Sequence, residues 1–242
     1  MRKRSPSNGH KFQPTHQLTR QMSMRTRLFA VALVSALSTS VLVAQPQVQD
    51  AREMAQERAQ AELDAPKIVD VLGLKPGMTT ADVGSGGGAM TVVLGKWIGT
   101  GRVFATDITK HALRWTRQYV EKEGLKNVTV IKGAAAATNL PDACCDAVLL
   151  RHVYHHIGEI DAFNKSLLAS LKPGGRLAII DFVPEKGSPL PKGVPANRGG
   201  HGIPPAVVID EMKAAGFTYD RTIGKWPPGD KIQPGFLTLF RK

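Results

Sequence analysis

The chain has 242 residues, 42% of them hydrophobic and 21% charged, enough for one globular domain plus a short extension and too few for a multidomain assembly, since domains run about 100–200 residues. Its two cysteines, Cys144 and Cys145, are adjacent, which excludes a disulfide scaffold and a cysteine-rich zinc module. The formal charge of +12 is mostly a tail: residues 1–44 hold seven Lys/Arg and no Asp/Glu, leaving +5 for the rest, so nothing in the balance argues for a nucleic-acid groove.

Arg25-Thr-Arg27 leads into an apolar run of 17 residues, Leu28 to Ala44, followed by polar Gln45-Pro46-Gln47. A positive flank, an apolar stretch and a polar exit are the layout of a secretory signal peptide. Cleavage is expected after Ala44, and the protein is expected to be exported, periplasmic or secreted. The alternatives are an uncleaved anchor, because the run is near the lower length limit of a membrane span, or a cytoplasmic protein. Residues 1–21 are too long and irregular for a signal's leading region, and Met22 and Met24 both stand where a signal would begin. Adjacent cysteines pair only with strain, so Cys144 and Cys145 are expected to stay free or to pair with another chain.

Residues 45–65 read as a helical lead-in and residues 66–242 as the folded domain. An Ala/Glu/Gln/Arg stretch from Asp50 to Leu63 predicts a helix; Asp64-Ala65-Pro66 then supplies an N-cap and a proline near the start of a second helix over 67–72. Further elements alternate: strand Thr79 to Val83, helix Ala89 to Ile98, strand Arg102 to Asp107, helix Lys110 to Glu123, strand Val128 to Lys132, strand Asp146 to Arg151, helix Asp161 to Leu171, turn Lys172 to Gly175, strand Arg176 to Phe182. After a Gly/Pro-rich loop from Pro184 to Pro205 come the helix Ala206 to Ala215 and two closing strands, read as a hairpin. Alternation of this kind predicts an α/β fold with a mainly parallel sheet and helices on both faces.

In Asp82-Val-Gly84-Ser-Gly86-Gly-Gly88 a strand hands over to a helix through a turn without bulky side chains, where glycines permit positive φ and backbone N–H groups can approach a ligand. Asp107 ends the next strand, where a carboxylate accepts from both hydroxyls of a ribose. Together they predict an adenosine-containing ligand at the carboxyl edge of the sheet. NAD and S-adenosylmethionine both fit. Asp82, an acid inside the first strand, suits a cationic amino-acid tail better than a pyrophosphate, and the chain is short for an oxidoreductase with its own substrate domain.

Asp82-Val-Gly-Ser-Gly-Gly-Gly88, Val103-Phe-Ala-Thr-Asp107, Leu140-Pro-Asp-Ala-Cys-Cys-Asp146, His155-His156-Ile, Leu171-Lys-Pro-Gly-Gly175 and Glu211-Met-Lys-Ala-Ala-Gly-Phe217, in this order over about residues 60–242, resemble the Rossmann-like (class I) S-adenosylmethionine-dependent methyltransferases. The lead-in Ala65 to Gly77, Tyr154-His-His156 and the signal-like N-terminus are similar to a group of exported bacterial methyltransferases. The resemblance implies a seven-stranded mixed sheet with a C-terminal antiparallel hairpin, S-adenosyl-L-methionine as cofactor, and transfer of its methyl group to a small-molecule acceptor. It also implies that Gly84, Ser85, Gly86 and Gly88 line the methionine part with Asp82 beneath them, that Asp107 holds the ribose and that Ile108 lies beside the adenine. One departure stands out: after the third strand, where many relatives carry an acid for the adenine amino group, Lys132-Gly133-Ala134-Ala135 has none. Adenine recognition is then left to backbone, Thr138 or Asn139, and a non-catalytic cofactor-binding descendant is the alternative reading.

Methyl transfer from a sulfonium is an in-line displacement, so the protein chiefly aligns the reactants and needs a base only for a poor nucleophile. The fourth strand ends in Arg151-His152-Val-Tyr154-His155-His156, at the edge where the methyl group is expected. His155 is the first candidate for a general base, His156 and Tyr154 for positioning, and Arg151 or His152 for contacting cofactor or acceptor; the structural reading for His156 is a buried, hydrogen-bonded imidazole. Asp181 reads as an acceptor contact or a cap, Glu211 as a structural or solvated acid, and Asn197, Arg198 and His201 as a substrate lid or a surface loop. Three histidines in five residues invite a metal, but no carboxylate or cysteine completes a set at ligand spacing, and no metal site is expected. Trp97, Trp115 and Trp226 are too dispersed for a nucleic-acid stacking platform. Membrane contact is expected only through an uncleaved N-terminal segment, and oligomeric state is left open.

Overall fold

Short apolar runs bounded by glycine turns become the strands of one sheet. In a computed structural model that describes residues 52, 54–227 and 235–242, seven strands are ordered β3-β2-β1-β4-β5-β7-β6: β1 (Thr79–Val83), β2 (Arg102–Asp107), β3 (Val128–Lys132), β4 (Cys145–Arg151), β5 (Leu171–Phe182), β6 (Thr218–Trp226) and β7 (Gly235–Arg241). The first five pair in parallel, while β7 inserts antiparallel between β5 and β6. This is the expected Rossmann-like mixed sheet with its antiparallel C-terminal pair. The signal-peptide reading lies outside the described residues, among which no helix is long and apolar enough to cross a membrane.

Side chains alternate between two cores. Ala147, Leu149, Ala178 and Ile180 face the layer formed by α1 (residues 54–72), α2 (Ala89–Ile98) and α3 (Lys110–Lys122). Val148, Leu150, Leu177 and Ile179 face α4 (Ile160–Ser170) and α5 (Pro205–Ala214) on the other side. A parallel sheet covered on both faces needs apolar residues at every strand position, which is why β4 reads Ala-Val-Leu-Leu without alternation. Strand order reverses between β1 and β4, and ligands of open α/β sheets bind in the crevice beyond the carboxyl ends at such a point.

Three expectations change. Residues 54–72 form one helix that runs through Asp64-Ala65-Pro66, so the expected boundary between a lead-in and a domain at 65/66 is absent. Proline inside a helix removes a hydrogen bond and costs about 3 kcal/mol, but Pro66 faces solvent while Ala61, Ala65, Ile68 and Leu72 bury an unbroken stripe, each 3% exposed or less. Second, β5 begins at Leu171 rather than after the Lys172 to Gly175 turn, because Leu171 pairs with Cys145 ahead of a register shift. Third, Cys144 and Cys145 are joined to each other as a disulfide rather than left free.

Candidate active site

Beyond β1 the chain must turn sharply to start α2. Gly84 takes φ +77° and Gly88 φ +81°, conformations that cost a side chain about 1–2 kcal/mol, and a Cβ on Gly84 would overlap both methyl groups of Val153, the farther at 2.8 Å. The N–H groups of Gly84 and Ser85 both donate to the Thr106 carbonyl, at 2.7 and 2.9 Å, tying the turn to β2. Asp107, at the tip of β2, accepts from Gly86 N–H at 3.2 Å, Thr109 N–H at 2.8 Å and Thr109 Oγ1 at 3.0 Å. The glycine run and the acid, read separately in the sequence, therefore meet. Ser85 is held from the other side by Thr116, 3.2 Å between hydroxyls.

Asp82 lies beneath this turn, 3% exposed, and accepts from Thr91 Oγ1 at 2.5 Å. Burial pushes its carboxyl above the ordinary value; the Thr91 hydrogen bond and Arg151 oppose that shift and Asp107 adds to it. The cavity in front measures about 490 Å³ and is walled by Asp82, Gly84, Ser85, Gly86, Asp107, Arg151, His152 and Val153, a size that suits a small ligand (about 300–1,000 Å³). Ile108 stands beside Asp107, 59% exposed. The fourth wall is α1, through Gln56, Glu57 and Gln60, and Arg151 Nη1 binds Asp64 of the same helix at 3.2 Å. These α1 residues were missed in the sequence: they look like an ordinary polar helix face, and only the path of the helix across the sheet edge makes them cavity lining.

The segment after β3 is a tight turn, closed by Ala134 N–H to the Ala137 carbonyl at 2.8 Å. Thr138, 1% exposed, is engaged with Ser166 Oγ at 2.9 Å, and Asn139 Nδ2 donates to the Lys132 carbonyl at 2.9 Å. Thr138 has no surface with which to meet a base, so the expectation placed on it is corrected.

After β4, His152 adopts φ +57°, uncommon outside glycine, and the chain enters a 3-10 turn, Tyr154–His156. This turn separates the candidate triad. Tyr154 is fully buried; its hydroxyl donates to Glu211 Oε2 at 2.8 Å and accepts from Asn164 at 2.9 Å, and burial together with Glu211 pushes its ionisation well up. It supports the fold from below and does not reach the cavity, a correction to its reading as a positioning group for the acceptor. Glu211 is structural as well, pairing with fully buried Arg198 at 2.5 Å.

His155 is 1% exposed. Its backbone N–H donates to Asp181 Oδ2 at 3.1 Å and its Nδ1 lies 2.7 Å from Asp181 Oδ1. Asp181, itself fully buried, also accepts from Phe182 N–H at 3.0 Å. A carboxylate only accepts, so Nδ1 carries a proton, and in the neutral form of the ring the lone pair lies on Nε2, an atom with no partner among the described residues. His156 is exposed, not the buried imidazole of the structural reading, and burial of part of its ring, then His155 and His201, hold its pKa below the ordinary value. His201 arrives from the 184–205 loop to stand 4.8 Å from the His155 ring and 5.4 Å from that of His156.

The strand order and the crevice at its reversal are those of the Rossmann-like fold of S-adenosylmethionine-dependent methyltransferases, which the chain resembles. Residues 81–179 match the methyltransferase domain family. The chain is similar to ubiquinone/menaquinone biosynthesis C-methyltransferases, 29% identical over 126 residues to the one from Escherichia coli O1:K1 and 31% over 116 residues to that of Shewanella halifaxensis. These matches cover 51% and 47% of this chain, and the chain spans about half the length of either relative, 50% and 46%. A solved S-adenosylmethionine-dependent methyltransferase from Aquifex aeolicus shares 29% identity with a TM-score of 0.61, covering 74% of this chain and 89% of its own.

Proposed function

We propose that the protein transfers the methyl group of S-adenosylmethionine to a small-molecule acceptor. The observation that carries this reading is the meeting of the Gly84–Gly88 turn with Asp107 on one cavity, at the Gly86 to Asp107 contact of 3.2 Å. The residues fit the cofactor: the glycine turn leaves backbone N–H groups and open space, Asp107 presents a carboxylate to a ribose diol, and Asp82 and Glu57 supply negative charge for a cationic amino-acid tail. Bound there, S-adenosylmethionine supplies a methyl group on a good leaving group.

On the acceptor side, His152 and Val153 end the cavity wall, and His155 and His156 continue the same edge. Activation of the acceptor runs through the Nε2 lone pair of His155, whose ring Asp181 fixes in tautomer and orientation. The relatives are named for quinone biosynthesis, which supports a small acceptor over a macromolecular one. Export through the segment ending at Ala44 belongs to the same proposal, and N-terminal sequencing of the mature protein checks it.

The test is calorimetric titration of the full chain with S-adenosylmethionine, S-adenosylhomocysteine and NAD, with Asp107→Ala as control. Both sulfur nucleotides bind and NAD does not. The variant loses two hydrogen bonds to a charged acceptor, about 1.5–3 kcal/mol each, so affinity falls by about 10²- to 10⁴-fold. Binding of NAD alone, or of none of the three, overturns the proposal.

A further inference from the structure

Three imidazoles converge, two of them adjacent in sequence and the third, His201, brought in by a distant loop. The ligand nitrogens of His155, His156 and His201 all lie within 4.8 Å of one another. His201 is no chance visitor: its N–H donates to Ser188 Oγ at 3.0 Å, and the next residue, Gly202, takes φ +127° with its Cα pressed so close to β5 that a Cβ would stand 2.8 Å from the Phe182 carbonyl. Ile203, fully buried, then donates to that carbonyl at 2.9 Å. The loop is pinned to the end of β5 immediately after the histidine.

A second and independent observation concerns His155. Its Nε2 is buried and without a partner among the described residues, while Nδ1 is held by Asp181. Leaving a buried polar atom unmade costs about 1–3 kcal/mol, and a ring with a carboxylate on one nitrogen and a bare lone pair on the other is the form in which histidine ligates metals. Phe182 packs against the His155 and His201 rings at 4.8 and 5.4 Å, giving the cluster an apolar back wall. His156 and His201 are exposed, so the front is open.

We infer that His155, His156 and His201 bind a divalent first-row transition metal of the zinc type, with Asp181 orienting the buried ligand. Three neutral nitrogen donors without oxygen ligands suit zinc, cobalt or nickel and exclude calcium and magnesium. At metal–nitrogen distances of about 2.0–2.1 Å, tetrahedral geometry sets the nitrogens roughly 3.4 Å apart. The exposed rings of His156 and His201 close the remaining gap by rotating about their side-chain bonds while His155 stays fixed. Three protein ligands leave the fourth position toward solvent, available to water or to an oxygen of a small molecule. As a binding site the cluster stands apart from the methyl-transfer reading; with metal bound, the His155 lone pair is taken up by coordination, so an acceptor oxygen would be activated at the open fourth position instead of by His155 as a base, and that role rests on the methyl-transfer reading.

The test uses the full chain without a histidine tag, stripped with a chelator and titrated with cobalt(II), which reports ligand geometry in its visible spectrum. We expect one equivalent to bind and develop the intense bands of a tetrahedral site. His201→Ala, on the exposed side, lowers cobalt affinity by at least tenfold, and Asp181→Asn lowers it by about 10- to 100-fold. Binding of S-adenosylhomocysteine, measured on the same samples, is unchanged in His201→Ala and verifies the fold. No bands with the fold intact, or bands that survive both His201→Ala and His155→Ala, overturn the inference. Loss of nucleotide binding in the unsubstituted protein would instead count against the methyl-transfer reading and leave the cobalt result to be judged by itself.

Discussion

Gly84→Ala is the sharpest perturbation of the Gly84–Gly88 turn, because two separate costs fall on one methyl group. The φ of +77° costs an alanine about 1–2 kcal/mol, and overlap with the Val153 methyls forces a shift of the kind that costs about 1–3 kcal/mol in packed sites. Together these amount to about 2–5 kcal/mol, a fall of roughly 4–20 °C in Tm for a chain of this size. Only the second cost depends on Val153. Val153→Ala removes both overlapping methyls and leaves only its Cβ, 3.0 Å away, so in the double variant Gly84→Ala costs little beyond its backbone share, and the cycle shows a favourable coupling of about 1–3 kcal/mol. Thermal unfolding of the four proteins, followed by circular dichroism, measures it. If Gly84→Ala lowers Tm equally with and without Val153→Ala, the close approach of the 151–153 segment to the glycine turn is wrong; if it has no effect at all, so is the left-handed turn.

Tyr154→Phe removes one hydrogen bond from Glu211 and one from Asn164, so it destabilises the protein by about 1–3 kcal/mol while S-adenosylhomocysteine affinity, measured by calorimetry, stays the same; unchanged stability with turnover reduced more than tenfold would return Tyr154 to the catalytic set. Asp82 holds its proton in the fold above the ordinary carboxyl value of 3.8, so its contribution to stability is present at low pH and is lost as pH rises from about 3.8 through the raised value. Asp82→Asn flattens that decline, which Tm measured against pH for both proteins will show; parallel profiles would mean that Asp82 is not buried as described. Because a cationic ligand favours the ionised form, binding of S-adenosylmethionine releases protons in this range, seen as a buffer-dependent binding enthalpy that vanishes in Asp82→Asn.

The elements legible in the sequence were those specified locally. Strands β1, β2 and β3 and helix α2 start and stop where they were read because each is a short apolar run between a glycine turn and a polar residue. The same holds for the pairing of the Gly84–Gly88 turn with Asp107, since the strand–turn–helix order leaves little freedom. What escaped depends on distant chain. Pro66 reads as a helix start, yet the buried stripe Ala61, Ala65, Ile68, Leu72 overrides the local rule by tertiary packing. Tyr154 and His155 are neighbours with the same apparent promise; the 3-10 turn sends one down to Glu211 and the other toward Asp181, a divergence that no spacing announces. His201 lies 45 residues beyond His156, and only the pinning of its loop to β5 brings it to the cluster.

Helix α1 gives the molecule a division of labour along its length. The matched methyltransferase segment starts at residue 81, but Gln56, Glu57 and Gln60 close the cavity from before it, and Arg151 reaches out of the segment to Asp64. A fragment trimmed to the match would keep the floor and Asp107 and lose a side of the cup. Grafting that segment onto another protein would therefore transplant an open ledge, whereas a graft that begins ahead of Met54 would carry the vessel whole.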